Sequence, residues 1–323
     1  MRAIIALILP SLVLLMSVLP TSAAGAKTLA ERLGYEATDR LVIIHGDDMG
    51  MCHSANRATE AVLEYGLVGA ASIMMPCPAA EEAVAYGQTH PQADLGLHLT
   101  FTAEWKDYRW GPLAPRAEVP DLLDPDGFLW HGTEQVAMKA TPAEIEREAR
   151  AQIERALALG MHPTHFDTHM GVMFARTDYA DVYARLAIEY HTPCMMFEPT
   201  ERVLAGAKAE GIPYPQDAVK RLKAAGFPLI DNFVFGGPGN GTEGYRQRWY
   251  VRQLRALPPG VSILIIHAGF ADEELKGITG SAPQRDHDRR LFTSPEMRRT
   301  LERLGIKPIG WREIAALVPG REG

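Results

Sequence analysis

Cysteine is scarce: Cys52, Cys77 and Cys194 are the only three in 323 residues. So small and odd a number excludes a disulfide framework and leaves at least one thiol free. A Cys52–Cys77 bridge stays open for an exported protein, the alternative being buried small hydrophobes. Excess positive charge is missing too. The chain carries 33 Lys and Arg against 40 Asp and Glu, a formal net charge of −7. Nothing therefore suggests a nucleic-acid partner, and a neutral, polar substrate is the default. The chain shows no internal repeat and no low-complexity tract. What remains is a globular chain whose activity has to be read from its motifs.

One long apolar run is present, at the start. Met1-Arg2 supplies a positive charge, Ala3 to Pro20 is almost uncharged, and Thr21-Ser22-Ala23-Ala24-Gly25-Ala26 offers small residues at A-x-A spacing. That order is the order of a secretory signal peptide over residues 1–26. A run of about 18 residues is also just long enough to span a bilayer, but Pro10, Pro20 and the small-residue exit favour cleavage. No twin-Arg pair precedes the run and no Cys follows it, so neither Tat export nor a lipid anchor is indicated. The expectation is an exported protein, periplasmic or secreted, with no stable membrane insertion after cleavage. Residues 27–323 are long enough for one large α/β barrel or two small domains.

Four short apolar runs each lead directly into polar residues able to do chemistry. Leu41-Val42-Ile43-Ile44 runs into His45-Gly46-Asp47-Asp48, and Leu95-Gly96-Leu97 into His98-Leu99-Thr100. Pro163-Thr164 leads to His165-Phe166-Asp167-Thr168-His169, and Ile263-Leu264-Ile265-Ile266 ends at His267. Each reads as a buried strand with reactive side chains at its C-terminal end. Helices lie between them. Thr141-Pro142-Ala143-Glu144 is a capping box with Pro at the first helical position; Ile145, Ala149, Ile153 and Leu157 follow on one face, and Gly160 closes the helix. Asn56 to Tyr65, stopped by Gly66, and a helix opened by Ser294-Pro295 and stopped by Gly305 show the same periodicity. Alternating strands and helices imply parallel pairing. Functional groups at strand C-termini point to a (β/α) barrel, whose active sites sit on that face.

The chemistry-bearing residues are considered first one by one. Successive strand residues face opposite ways, so Asp47 and Asp48 serve one site only if the strand ends there; otherwise the pair is a solvated turn. His165, Asp167 and His169 share a strand face, a stripe that is costly to bury unless a cation neutralises it or hydrogen bonds satisfy it. His98 and His267 are each readable as a satisfied core histidine. Together the four strand ends supply carboxylates and imidazoles in a set that suits a hydrolytic metal site. Residues 101–140 break the pattern, and a long loop after such a strand reads as a lid or substrate wall. Its aromatics, Trp105 and Trp110 among them, suit the apolar faces of sugar rings. The second irregular loop, Gly236–Gly241, is too broken by Pro to cradle phosphate.

These motifs, in this order, resemble the YdjC-like carbohydrate deacetylases, the family of chitooligosaccharide deacetylase, distantly similar to the NodB-type polysaccharide deacetylases. The matching segments are Leu41–Gly50, Gly96–Thr100, Thr164–His169, His267–Phe270 and Arg285–Asp288 with Ser294-Pro295-Glu296, and the resemblance spans nearly all of residues 41–315. It implies a distorted (β/α) barrel with one catalytic divalent metal ion, Mg²⁺ or Zn²⁺, and an N-acetylated sugar or oligosaccharide as substrate. Carried over, Asp48, His98 and His169 are the metal ligands, Asp47 the general base and His267 the acid for the leaving amine. Asp167 or Arg285 orients these groups, and His165 is structural. Oligomeric state, including a homodimer, stays open. The chain departs from the family at His45-Gly46 in place of Asn-Ala, Met49 in place of an aromatic, Ala268 in place of Pro, and Met170-Gly171 in place of a His-rich stretch. No presumed ligand is lost, and His45 is expected to line the pocket floor. The rival readings are a phosphoesterase or amidohydrolase on a similar barrel and a non-catalytic glycan-binding protein. The first lacks a clustered basic pocket near the motifs, and the second has no need of a base and an acid.

Overall fold

The computed structural model describes residues 27–321; the expected signal peptide, residues 1–26, lies outside the described residues. Among the described residues seven strands form one parallel sheet: β1 (Arg40–Met49), β2 (Ala70–Ile73), β3 (Leu95–Leu99), β4 (Phe166–Thr168), β5 (Asn232–Phe233), β6 (Gly260–Ile266) and β7 (Ile306–Pro308). Their order is β4-β3-β2-β1-β6-β5. β7 pairs with the start of β1, along Arg40–Val42, while β2 pairs with its end, His45–Met49. Two isolated parallel bridges, Phe166↔Cys194 and Phe197↔Ile230, carry the wall from β4 round towards β5. The architecture is the expected distorted (β/α) barrel, regular on the β1 side and irregular between β4 and β5.

β1 is central and covered on both sides, which is why Leu41 to Ile44 reads as an unbroken apolar run and why all four are 0% exposed. The expected helices form with the expected ends. In the helix Pro142–Ala158, Thr141 Oγ1 accepts from the Glu144 backbone N–H, and Glu144 Oε2 accepts from Thr141 N–H at 2.8 Å. The helix His53–Tyr65 stops at Gly66 (φ 79°), and Pro295–Leu304 at Gly305 (φ 63°). Three strands went unread. β2 is only four residues, of which Ala70, Ala71 and Ser72 are small, β5 has two residues, and β7 ends in Pro. Cys52, Cys77 and Cys194 are free and buried, so the open Cys52–Cys77 bridge is not made.

The segment 101–140 is not a loose flap. It holds short 3₁₀ turns and a helix, Thr133–Lys139. Trp110 Nε1 donates to the Thr102 carbonyl at 2.9 Å, Trp130 Nε1 to that of Asp121 at 2.8 Å, and Arg109 pairs with Asp124 at 2.8 Å. From the neighbouring helix Pro142–Ala158, buried Glu148 accepts from the backbone N–H groups of Leu113 and Ala114 at 3.0 and 2.9 Å. Gln152 brackets Thr100 in the same way, accepting from its N–H and donating to its carbonyl. These two side chains anchor the segment to the barrel wall and so fix the exit of β3.

Small residues on the strands leave room inside the barrel for polar side chains. Gly96 is the sharpest case: a Cβ there would collide with the imidazole of His165. At Gly46 a Cβ would make only ordinary contacts, 3.6 Å from Ala71 and Thr59. Gly96→Ala should therefore cost about 1–3 kcal/mol of stability through overpacking, while Gly46→Ala stays within about 1 kcal/mol of the parent. Urea unfolding of the two variants checks this, and equal losses would show that the ring of His165 does not limit the space at Gly96.

Candidate metal centre and its surroundings

β1 ends in a way that answers the question posed by its two adjacent carboxylates. Asp48 adopts a left-handed backbone (φ 67°), and the pairing of β1 with β2 shifts register between Gly46 and Met49. A left-handed non-glycine residue is uncommon and costs roughly 1–2 kcal/mol. The inversion turns Asp48 to the same side as Asp47. Both now face His98 Nε2, Asp47 through Oδ2 at 3.7 Å and Asp48 through Oδ1 at 3.4 Å.

Asp48, His98 and His169 form one buried cluster whose candidate ligand atoms all lie within 4.8 Å of one another. His169 Nδ1 is 3.2 Å from Asp48 Oδ1 and 3.3 Å from His98 Nε2. Each imidazole is held from behind by a carboxylate. His98 Nδ1 is 2.8 Å from Asp167 Oδ2, which also accepts from Ser72 Oγ at 2.9 Å, and His169 Nε2 is 3.0 Å from Glu104 Oε2. With N–H groups pointing at these carboxylates, the other two ring nitrogens turn lone pairs towards each other and towards Asp48 Oδ1. That oxygen is buried and has no hydrogen-bond partner among the described residues. Two lone pairs and a carboxylate oxygen converging in this way repel one another unless a cation lies between them, and a carboxylate behind a histidine is the usual support of a metal-ligating ring. The donor set, one carboxylate oxygen and two imidazole nitrogens, fits a divalent ion of either expected kind.

The electrostatics agree. Burial works against the charge of Asp48, but Arg285, whose Nη2 donates to Asp48 Oδ2 at 2.6 Å, and the nearby imidazoles hold its carboxyl well below the usual range. Asp47 is likewise buried yet held low, by His98 and His45. Burial favours neutral imidazoles, but Asp167 and Asp47 push His98 well above its ordinary value. Against the same burial, Asp48 and Glu104 raise His169 to about 9.

Below the cluster runs a second column. His45 Nδ1 is 2.7 Å from Asp47 Oδ1, and its Nε2 is 2.7 Å from His165 Nε2. His165 Nδ1 meets Thr164 Oγ1 at 2.9 Å, and that hydroxyl donates to Asp94. The His165 ring stacks on Trp311 with centroids 4.8 Å apart. Burial and the neighbouring His45 keep it neutral, far below the usual histidine range. His165, Asp167 and His169 do share a face, but the strand covers only 166–168 and the three sit at different depths: packed on Trp311, behind His98, and at the mouth. His45 does not line the pocket floor as expected. It is 0% exposed, lies beneath Asp47 and supports that carboxylate from the core side.

Above the cluster opens a cavity of about 610 Å³, lined by Asp47, Asp48, His98, Glu104, His169, His267 and Arg285 among others. His267 follows β6 directly; its side chain is 44% exposed, with Nε2 3.9 Å from Asp48 Oδ2. Asp288 braces this side. It accepts from Arg246 Nη2 at 2.6 Å and Tyr250 Oη at 2.9 Å, and lies 3.5 Å from the backbone N of His267. Trp110 is a correction, since it is buried away from the cavity, whereas half-buried Trp105 lies at the cavity's edge with its ring 6.0 Å from the Arg285 guanidinium. Trp110 is 4% exposed, packed in the core with its N–H spent on Thr102, and Trp105 packs edge-on against it at 5.5 Å. Two contributors had not been anticipated. Glu104 sits in an irregular segment with no periodicity to mark it. Asp288 was legible only as the buried i+3 neighbour of Arg285 on the helix Ala282–Phe292.

Comparison with known proteins identifies the family. The family model described as YdjC-like protein matches residues 41–303. A carbohydrate deacetylase of Thermus thermophilus is 33% identical over 291 residues, covering 88% of this chain and 97% of that protein. A carbohydrate deacetylase of Thermoanaerobacter pseudethanolicus is 24% identical over 258 residues, covering 80% and 92%. Among solved structures, a proposed cellobiose-phosphate cleavage protein of Enterococcus faecalis superposes with a TM-score of 0.70 at 21% identity, over 85% of this chain and 99% of that one, and so shares the fold. With the family model spanning most of its length and a relative of this identity covering nearly all of it, the chain belongs to the YdjC-like family.

Proposed function

We propose that this chain is a metal-dependent carbohydrate N-deacetylase. The observation that carries the reading is the cluster of Asp48 Oδ1, His98 Nε2 and His169 Nδ1, each ring backed by a carboxylate, with a further carboxylate, Asp47, beside it. The relatives described as carbohydrate deacetylases supply the substrate class. A divalent ion held by Asp48, His98 and His169 would supply Lewis acidity towards an acetamide carbonyl and a water molecule.

The remaining steps belong to the protein's own side chains. Asp47 Oδ2 faces the centre while Oδ1 is occupied by His45, so one oxygen is free to accept a proton from the attacking water. Asp47 is held low by His98 and His45 and so stays ionised, and its role as base rests on the position of Oδ2. His267 stands on the opposite, solvent-facing side of Asp48 and is placed to protonate the departing amine. Arg285 fixes Asp48 from the helix Ala282–Phe292, and Asp288 on the same helix steadies the backbone at His267. Asp167 and Glu104 set which nitrogen of His98 and His169 faces the centre.

Metal binding should depend on pH in a direction set by these shifts. His169, raised to about 9, is protonated in the metal-free protein at neutral pH. An incoming ion must displace that proton, so apparent affinity rises as pH climbs towards 9 and falls as pH drops. The expected slope is roughly tenfold per pH unit for each proton displaced. Calorimetric titration of the chelator-stripped protein with Zn²⁺ in buffers of different ionisation enthalpy counts the protons released, and a pH-independent affinity would remove His169 from the ligand set.

Ligand substitutions provide a second test. His98→Ala and His169→Ala should each abolish stoichiometric metal binding and acetate release, whereas His165→Gln should retain the metal. Metal analysis after dialysis separates the two outcomes, and equal loss in the His165 and His169 variants would show that the deeper imidazole is a ligand.

The base and the acid separate by leaving group. Asp47→Asn should keep the metal and lower kcat by about 10²–10⁴-fold, the usual contribution of general-base assistance. His267→Ala should lose hydrolysis of an acetamido sugar but keep much of its activity on an activated acetate ester, whose phenolate leaves without protonation. Parallel loss of both activities, with the metal still bound, would assign His267 to stabilising the oxyanion instead.

A further inference from the structure

The lining of the cavity has two parts of different chemistry. One carries the metal cluster, Asp47, His267 and Arg285. The other, built from residues 195–215 and 233–235, presents Met196, Phe197, Ile212, Pro213, Phe233 and Phe235. Polar atoms in this second part are already engaged, since Tyr214 Oη donates to the Phe197 carbonyl at 2.9 Å. Polar side chains lie on the helix Ala282–Phe292 instead, where Gln284 and Arg285 line the cavity. At about 610 Å³ the cavity is also of the size that encloses a drug-sized ligand rather than an acetyl group alone.

A saccharide would stack ring faces on the phenylalanines but leave hydroxyl groups facing Met196, Ile212 and Pro213 with nothing to bond them, which weakens binding. An amphiphile matches both parts, with sugar hydroxyls at Gln284 and Arg285 and a hydrocarbon or aromatic group on the apolar wall. We infer that this wall is a subsite for an apolar group carried by the amino sugar, so that the substrates are amphiphilic rather than purely hydrophilic oligosaccharides. The inference rests on the deacetylase reading for the sugar itself. The apolar group has two sources, an aglycone at the anomeric carbon or an N-acyl chain longer than acetyl, and both would exploit the same wall.

The test is a pair of ligand series titrated calorimetrically into the metal-loaded Asp47→Asn protein, which prevents turnover, with every ligand below its micelle-forming concentration. The first series is N-acetylglucosamine with methyl, butyl and octyl β-aglycones. The second is methyl glucosaminide carrying N-acetyl, N-butanoyl and N-octanoyl groups. Kd should tighten by about fourfold per buried methylene in at least one series, with an increasingly negative heat-capacity change. The series that responds identifies the source of the apolar group, and a flat Kd in both overturns the subsite. Ile212→Asp and Phe235→Asp, each added in turn, should erase most of the gain; a gain that survives both variants places the chain elsewhere and overturns the assignment. Acetate release by the parent protein is read separately. Release combined with flat binding refutes the subsite and leaves the deacetylase reading intact. Chain-dependent binding without release refutes the deacetylase reading and supports the subsite as a binding site.

Discussion

The interior of this barrel is governed by the cost of burying charge. Asp47, Asp48, Asp167, His45, His98, His165 and His169 are all sequestered from solvent, and each carboxylate is matched by an imidazole or a guanidinium. Placing one such group in an apolar core is prohibitive, and placing seven is feasible only when every one is paired. The surrounding structure follows from that demand. Gly96 occurs where a side chain would strike His165, Ser72 donates to Asp167, Arg285 reaches in from a distant helix, and Glu104 supplies an acceptor at the mouth from an irregular segment.

The four strands that bear motifs were legible because each combines an apolar run with a polar end, a pattern that two-sided burial imposes on parallel strands. β2, β5 and β7 were not, since three small residues with one isoleucine, two residues and a Pro-ended triplet carry no periodicity. The face shared by His165, Asp167 and His169 was also legible, but depth along the barrel was not. A period of two says which side a residue faces and nothing of how far it lies from the mouth, and depth alone separates a stacking ring, a supporting carboxylate and a candidate ligand.

The aromatic residues teach the converse lesson. Trp105 and Trp110 stand in a loop rich in Pro, Gly and Asp, a composition shared by substrate walls and by compact inserts. The deciding evidence lies outside the segment, in Glu148 and Gln152 on the helix Pro142–Ala158, which bind its backbone and turn it into core. Aromatic and apolar side chains do line the cavity, but they come from residues 195–235, where the barrel wall is least regular. Irregular backbone there opens the space that ideal strands would have filled.

The link from Arg285 to Asp48 spans 237 positions of chain. The strand it completes, β1, is the second element of the fold and finds its partner β6 only at residues 260–266. During synthesis the apolar run Leu41–Ile44 therefore emerges long before the strand that covers it, a high-contact-order arrangement that delays closure and leaves a sticky segment exposed. The same topology means that no partly made chain holds a complete centre. The candidate ligands Asp48, His98 and His169 all precede residue 170, whereas Arg285, which fixes Asp48, and His267 come from the last third of the polypeptide, so the arrangement around Asp48 is a reporter of finished folding.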